Sequence, residues 1–91
     1  EQVPSEYKLF QNYPNPFNPN TSILFDISNQ SHAILKVYDV TGREVTVLVN
    51  ESLRPGSYKV ELNAGNLSSG LYFYKLETEN FTQTRKMVLV K

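Results

Sequence analysis

Apolar residues in this chain come in short runs that alternate with polar ones, and almost nowhere do they recur at helical spacing. Alanine occurs only twice, at Ala33 and Ala64, while β-branched and aromatic residues fill the apolar runs. A period of two sends one face of a segment into a core and the other to water. Seven segments carry the pattern: Tyr7–Gln11, Thr21–Ile27, Ala33–Val40, Glu44–Val49, Ser57–Leu62, Leu71–Thr78 and Thr82–Val90. Within them Ile23, Phe25 and Ile27 share a face, as do Ala33, Leu35 and Val37. Val45, Val47 and Val49 are in phase, Tyr58, Val60 and Leu62 alternate with charges, and Tyr72, Tyr74 and Leu76 form a core-like row. Met87 and Leu89 oppose Val88 and Val90.

The connections have their own chemistry. Asp39-Val40-Thr41-Gly42 has the Asp and Gly of a type I turn and predicts a hairpin between the third and fourth strands, with Gly42 free to take positive φ. Arg54-Pro55-Gly56-Ser57 has Pro then Gly at its centre, the type II pattern. Glu79-Asn80 suits a tight turn between the last two strands, and the polar stretch Asn63–Gly70 suits a crossover between sheets. Seven short strands spaced by turns predict an all-β, Ig-like antiparallel β-sandwich. The likeness to immunoglobulins is architectural, since the chain has no Cys and no Trp. Leu67-Ser68-Ser69-Gly70-Leu71-Tyr72 resembles a tyrosine corner, in which the hydroxyl ties the crossover down. Tyr13-Pro14-Asn15-Pro16-Phe17-Asn18-Pro19-Asn20 holds three of the five prolines. Its fixed φ angles make a stiff strap, pinned by Tyr13 and Phe17. A rigid connector closing one end of the sandwich is the favoured reading over an exposed ligand for an aromatic groove.

Ninety-one residues make one domain with one modest core. Nine basic residues balance nine acidic ones, so nothing draws the chain globally to nucleic acid or anionic membranes. Without Cys there is no thiol catalysis and no Cys-ligated metal, and one His cannot make a site needing two imidazoles. No apolar run approaches the roughly 20 residues of a membrane-spanning helix. The start at Glu1 rather than Met reads as a domain cut from a larger protein. Catalysis finds little support, and no cofactor or metal is expected. His32 lies in the polar stretch Ser28–His32, read as a solvated loop; Asp26 and Asp39 sit on separate elements; no nucleophile elbow or phosphate-binding glycine pattern is present. Five N-x-S/T triplets, at Asn20, Asn29, Asn50, Asn66 and Asn80, read as products of Asn- and Ser-rich turns. Six Tyr and five Phe leave Tyr7, Phe10, Tyr13 and Phe17 as candidates for a sugar-stacking platform. The alternative function is therefore a carbohydrate-binding or Ig-like spacer module of an extracellular enzyme.

Five blocks in order resemble one family. Gln11-Asn12-Tyr13-Pro14-Asn15-Pro16-Phe17-Asn18-Pro19 followed by Thr21 is similar to the opening motif of the C-terminal sorting domains of the bacterial type IX secretion system. Leu35–Val45, Leu53–Tyr58, Ser69–Leu76 and Thr84–Lys91 follow at matching spacing. The resemblance implies a linker from an upstream passenger at residues 1–8 and a sorting domain at 9–91. It implies a non-catalytic address that carries the passenger through the periplasm and across the outer membrane to the cell surface or medium. The implied partners are an outer-membrane translocon or shuttle, a sortase-like peptidase that removes the domain, and the N-terminal passenger in cis. The family's terminal block implies recognition at Arg85, Lys86, Met87, Val88, Leu89, Val90 and Lys91. Pro14, Pro16, Phe17, Asp39, Gly42, Pro55, Gly56, Tyr58, Gly70 and Tyr72 fall to the structural motifs. From the residues alone, Arg85, Lys86 and Lys91 make a local positive cluster beside the apolar edge Met87–Val90, read first as a strand whose lysines discourage sheet-to-sheet pairing; the resemblance turns that reading to docking on a translocon receptor, with the edge offered for strand addition. A strand-swapped or edge-paired oligomer is the accompanying expectation.

Overall fold

The computed structural model describes residues 3–91; Glu1 and Gln2, the start of the expected linker, lie outside the described residues. Seven strands follow in order: β1 (Lys8–Leu9), β2 (Asn20–Ile27), β3 (Ser31–Tyr38), β4 (Glu44–Leu53), β5 (Gly56–Asn63), β6 (Gly70–Thr78) and β7 (Phe81–Leu89). They form two antiparallel sheets, β1-β2-β5 and β4-β3-β6-β7. The architecture is the expected all-β, Ig-like sandwich, with β4 beside β3 in the larger sheet.

The alternating faces predicted for β2, β3, β6 and β7 are the ones that pack. Ile23, Phe25 and Ile27 meet Ala33, Leu35, Val37, Tyr72, Tyr74, Leu76, Met87 and Leu89, and all are buried. Asp39 closes the β3–β4 hairpin as predicted: the Gly42 amide donates to the Asp39 carbonyl at 3.0 Å, and Gly42 has φ of 87°, a conformation that a side chain disfavours. The Asp39 carboxylate accepts bonds from Thr41 N, Thr41 Oγ1 and Arg43 N at 2.9, 2.6 and 3.1 Å. The hairpin of β6 and β7 turns at Glu79-Asn80, and Asn63–Gly70 crosses between the sheets, both as expected.

Three local expectations are corrected. Where β4 pairs with β3, the register shifts between Leu35 and Lys36 and between Val37 and Tyr38 of β3, which leaves Leu48 and Val45 as the extra residues of β4. Each bulge reverses the alternation, so Val49 faces the core opposite Leu35 while Val47, opposite Lys36, is 41% exposed. Val45, Val47 and Val49 do not share a face. Gly56 does not adopt positive φ, so Arg54–Ser57 is not a type II turn. Instead β4 ends at Leu53, β5 begins at Gly56, and the two residues between carry the chain from one sheet to the other. His32 is not in a loop: it lies on β3, faces solvent and is 2.7 Å through Nε2 from Asn50 Oδ1 on β4.

Candidate functional site

The ten residues between β1 and β2, Phe10–Pro19, first stay on β2, with Phe10 bonded to Leu24 and Tyr13 to Ser22, then cross to the outer edge of β7 at Phe17 and return. Prolines cannot donate, so the segment pairs with β7 through the remaining backbone groups and through amide side chains. Gln11 Nε2 donates to the Lys86 carbonyl at 2.7 Å, and Asn15 Oδ1 accepts from the Val88 amide at 2.9 Å. The Phe17 amide donates to the Val88 carbonyl at 2.9 Å and the Phe17 carbonyl accepts from the Val90 amide at 3.0 Å, a parallel bridge centred on Leu89. Nearer the start of β7, the Leu9 amide donates to Gln83 Oε1 at 3.1 Å and Arg85 Nε donates to the Leu9 carbonyl at 2.6 Å. The edge expected to be free at Met87–Val90 is therefore already occupied by the chain's own strap, because side-chain amides supply the bonds that the prolines cannot.

The strap is held by buried polar groups. Asn12 and Thr21 are both buried; Asn12 Nδ2 donates to Thr21 Oγ1 at 3.0 Å and to the Pro14 carbonyl at 3.2 Å, and Thr21 Oγ1 donates to the same carbonyl at 2.9 Å. Below them the Tyr74 hydroxyl accepts from the Asn12 amide at 2.8 Å and donates to the Phe10 carbonyl at 2.7 Å. Burial pushes the Tyr74 phenol up to about 12, against the partial relief given by the Asn12 amide and the Arg85 charge. Phe17 drives its ring into the core and is 2% exposed. Tyr13 was expected to do the same. Its backbone bridges to Ser22, but its ring stands 80% exposed.

Two tyrosines fasten the ends of the crossovers in the same way. The Tyr72 hydroxyl donates to the Ser68 carbonyl at 2.7 Å, the tie predicted from the sequence. The Tyr58 hydroxyl donates to the Arg54 carbonyl at 2.6 Å, over the same four-residue separation. In both, a glycine stands two residues before the tyrosine: Gly56 lies under the Tyr58 ring, and Gly70 takes φ of 152°, which L side chains rarely adopt. Phe25 stacks on Tyr58 with ring centroids 5.5 Å apart.

The terminal block divides by burial. Met87 and Leu89 are core, Arg85 and Val88 are half-buried, and Lys86, Val90 and Lys91 are exposed. Lys91 is anchored, its amide donating to Ser69 Oγ at 3.0 Å and its Nζ to the Gly65 carbonyl at 2.7 Å. The side therefore presents Tyr13, Lys86, Val90 and Lys91 on a hydrogen-bonded base. The four aromatics considered for a sugar platform are not brought together: Tyr7 stacks on Phe81, Phe10 lies half-buried under Lys8, Phe17 is core, and Tyr13 stands alone. His32 is bonded to an amide, Asp26 Oδ1 accepts from Ser57 Oγ at 2.8 Å, and no group of three or more His, Cys, Asp or Glu side chains suited to a metal comes together among the described residues.

The family model described as Secretion system C-terminal sorting domain matches residues 11–91, from the first residue of the strap that bonds β7 to the last residue of the tail. The chain belongs to that family. No curated protein matches it. As a type IX sorting domain it is a non-catalytic secretion signal, and export to the cell surface or the medium is the consequence. In the structure Phe17 is buried, Asp39 and Gly42 close the β3–β4 turn, and Tyr72 bonds the Ser68 carbonyl, while the burial of the Asn12–Thr21 pair and the exposure of Tyr13 were not expected from the sequence. The signal for the pair was present in the sorting-domain motif, which sets Asn12 before the prolines and Thr21 after them.

Proposed function

We propose that the secretion machinery recognises the sorting domain by the composite face of strap and tail, and that Tyr13, Lys86, Val90 and Lys91 make the contacts. The observation that supports this is the join itself. Backbone and amide bonds from Gln11, Asn15 and Phe17 hold the terminal strand in place, while those four side chains project. Met87 and Leu89 act indirectly, since both are buried and set the position of their exposed neighbours. Arg85 belongs to the support as well, through its bond to the Leu9 carbonyl. Val88 lies half-buried between the two classes, with its amide and carbonyl both taken by the strap.

The remaining partners fit this placement. An outer-membrane translocon or shuttle reads the face, the passenger is attached in cis before the folded body, and a sortase-like peptidase cuts in the segment that joins them. The end of that segment falls within the 1–8 stretch, ahead of Tyr7. Tyr7 and Lys8 are already part of the body, Tyr7 by stacking on Phe81 at 5.4 Å and Lys8 by pairing with Asp26.

Export of a reporter fused to the chain tests the reading. The variant Tyr13→Ala/Lys86→Glu/Val90→Ser changes only exposed side chains that make no hydrogen bond in the fold, and leaves Lys91 with its bond to the Gly65 carbonyl. It should accumulate the reporter in the periplasm of a type IX host while the purified domain keeps its thermal midpoint. Export at the parental level from a variant of parental stability would refute the composite face.

A further inference from the structure

Of the four strand edges in the sandwich, three are guarded. The edge at β7 is filled by the strap, β1 is two residues long and bonded to Gln83 and Arg85, and β4 carries two bulges. Short edges and bulges are ordinary defences against pairing with another chain. β5 has none of these. It pairs with β2 without a register shift from Asn20↔Asn63 to Ile27↔Gly56, contains no proline, and has no neighbour on its other side among the described residues.

We propose that β5 is an interface at which two copies of this chain pair antiparallel about a two-fold axis through Val60. Outward-pointing backbone groups occur on alternate residues, so the registers open to two copies are those centred on a residue. Centring on Lys59 sets lysine against lysine, and centring on Glu61 sets glutamate against glutamate. Centring on Val60 sets each Lys59 opposite Glu61 of the second copy, Val60 opposite Val60, and Tyr58 opposite Leu62 of the second copy. Like charges directly opposite destabilise a strand pair and unlike charges support it. Both side chains are at the surface, 62% and 61% exposed; within one chain their tips lie 3.5 Å apart and Glu61 also accepts from Ser22 Oγ at 2.8 Å, and pairing between copies exchanges the exposed Lys59–Glu61 contact for two across the interface. Tyr58 and Val60, the half-buried members of the inward row, gain cover in the same register. The charges along this edge thus select one register and one partner. The two three-stranded sheets become one of six strands. Because β5 lies at the opposite edge of its sheet from β1, the strap–tail face stays open in both copies.

Sedimentation velocity on the 91-residue chain over a range of concentrations gives the test. The parent should move from the 10.4 kDa monomer to a dimer. Lys59→Glu and Glu61→Lys should each raise the dimer dissociation constant about tenfold or more, because symmetry makes two repulsive pairs from one substitution. The exchange Lys59→Glu/Glu61→Lys should return it to within about threefold of the parent, since the pairs are again unlike. Thermal unfolding at monomer concentration checks that every variant is folded. A parent that stays monomeric to about 1 mM overturns the proposal and leaves the edge to a strand of another protein. A dimer indifferent to the single substitutions, or a charge exchange that fails to restore pairing, also overturns it.

Discussion

Tyr58 and Tyr72 each end a sheet-to-sheet crossing by returning a hydroxyl to the carbonyl four residues earlier. One neutral hydrogen bond is worth about 1 kcal/mol. Tyr58→Phe and Tyr72→Phe should each lower the thermal midpoint by about 4–8 °C, with nearly additive effects because the two ties share no partner. Tyr74 holds more. Its hydroxyl serves two buried backbone groups, so Tyr74→Phe should cost about 2–3 kcal/mol in denaturant unfolding. Tyr74 also makes stability depend on pH. Below pH 10 the phenol is protonated in both states and its contribution is complete. Between pH 10 and about 12 the unfolded chain releases the proton while the folded one retains it, so stability falls. The loss approaches about 3 kcal/mol above pH 12, and unfolding measured against pH should lose this component in Tyr74→Phe. Asp39 has the opposite sense: the Thr41 hydroxyl, two backbone amides and the Arg43 charge hold its carboxyl below the usual range despite some desolvation, so its support of the hairpin fades as pH falls beneath about 4. The Gly-x-Tyr spacing made Tyr72 legible in the sequence. The burial of Asn12 was not, because asparagine in a proline-rich stretch suits an exposed turn, and its burial depends on Thr21, nine residues away, and on Tyr74 beyond it.

At the level of elements, the strap and β7 behave as one unit. Phe17→Ala empties a core position and should cost about 3–5 kcal/mol. It should also speed hydrogen exchange at the amides of Val88 on β7 and of Val90 just after it, whose acceptors lie in the strap. Faster exchange spread evenly over the whole sandwich would argue against a separable strap. Removing Arg85–Lys91 is a poor probe of recognition for the same reason, since it deletes Met87 and Leu89 from the core along with the exposed side chains. Strands β2, β3, β6 and β7 were legible because an alternating row can bury only one face. β4 was not: its three valines keep a perfect period in sequence, and two bulges set by the pairing with β3 break it in space. The course of the strap was hidden too, since its bonds to β7 use amide side chains and backbone atoms that leave no pattern of hydropathy.

Across the whole molecule the two lateral sides differ. One is closed by the strap and carries the exposed tyrosine and tail; on the other, the outer edge of β5 has no neighbour among the described residues. This asymmetry keeps the face proposed for reading apart from the edge proposed for pairing. The fold and the family could be read from the alternation and the five ordered blocks, but the division of the tail into buried supports and exposed contacts required the sandwich itself. The central claim is that this body is sufficient as a secretion signal. Its most direct test is to fuse the chain to a periplasmic fluorescent reporter in a type IX host and measure the fraction at the surface and in the medium. The account predicts that the fused reporter leaves the periplasm, that the reporter alone stays, and that loss of the host's type IX translocon retains both. A fused, folded reporter that remains in the periplasm of the competent host would contradict it.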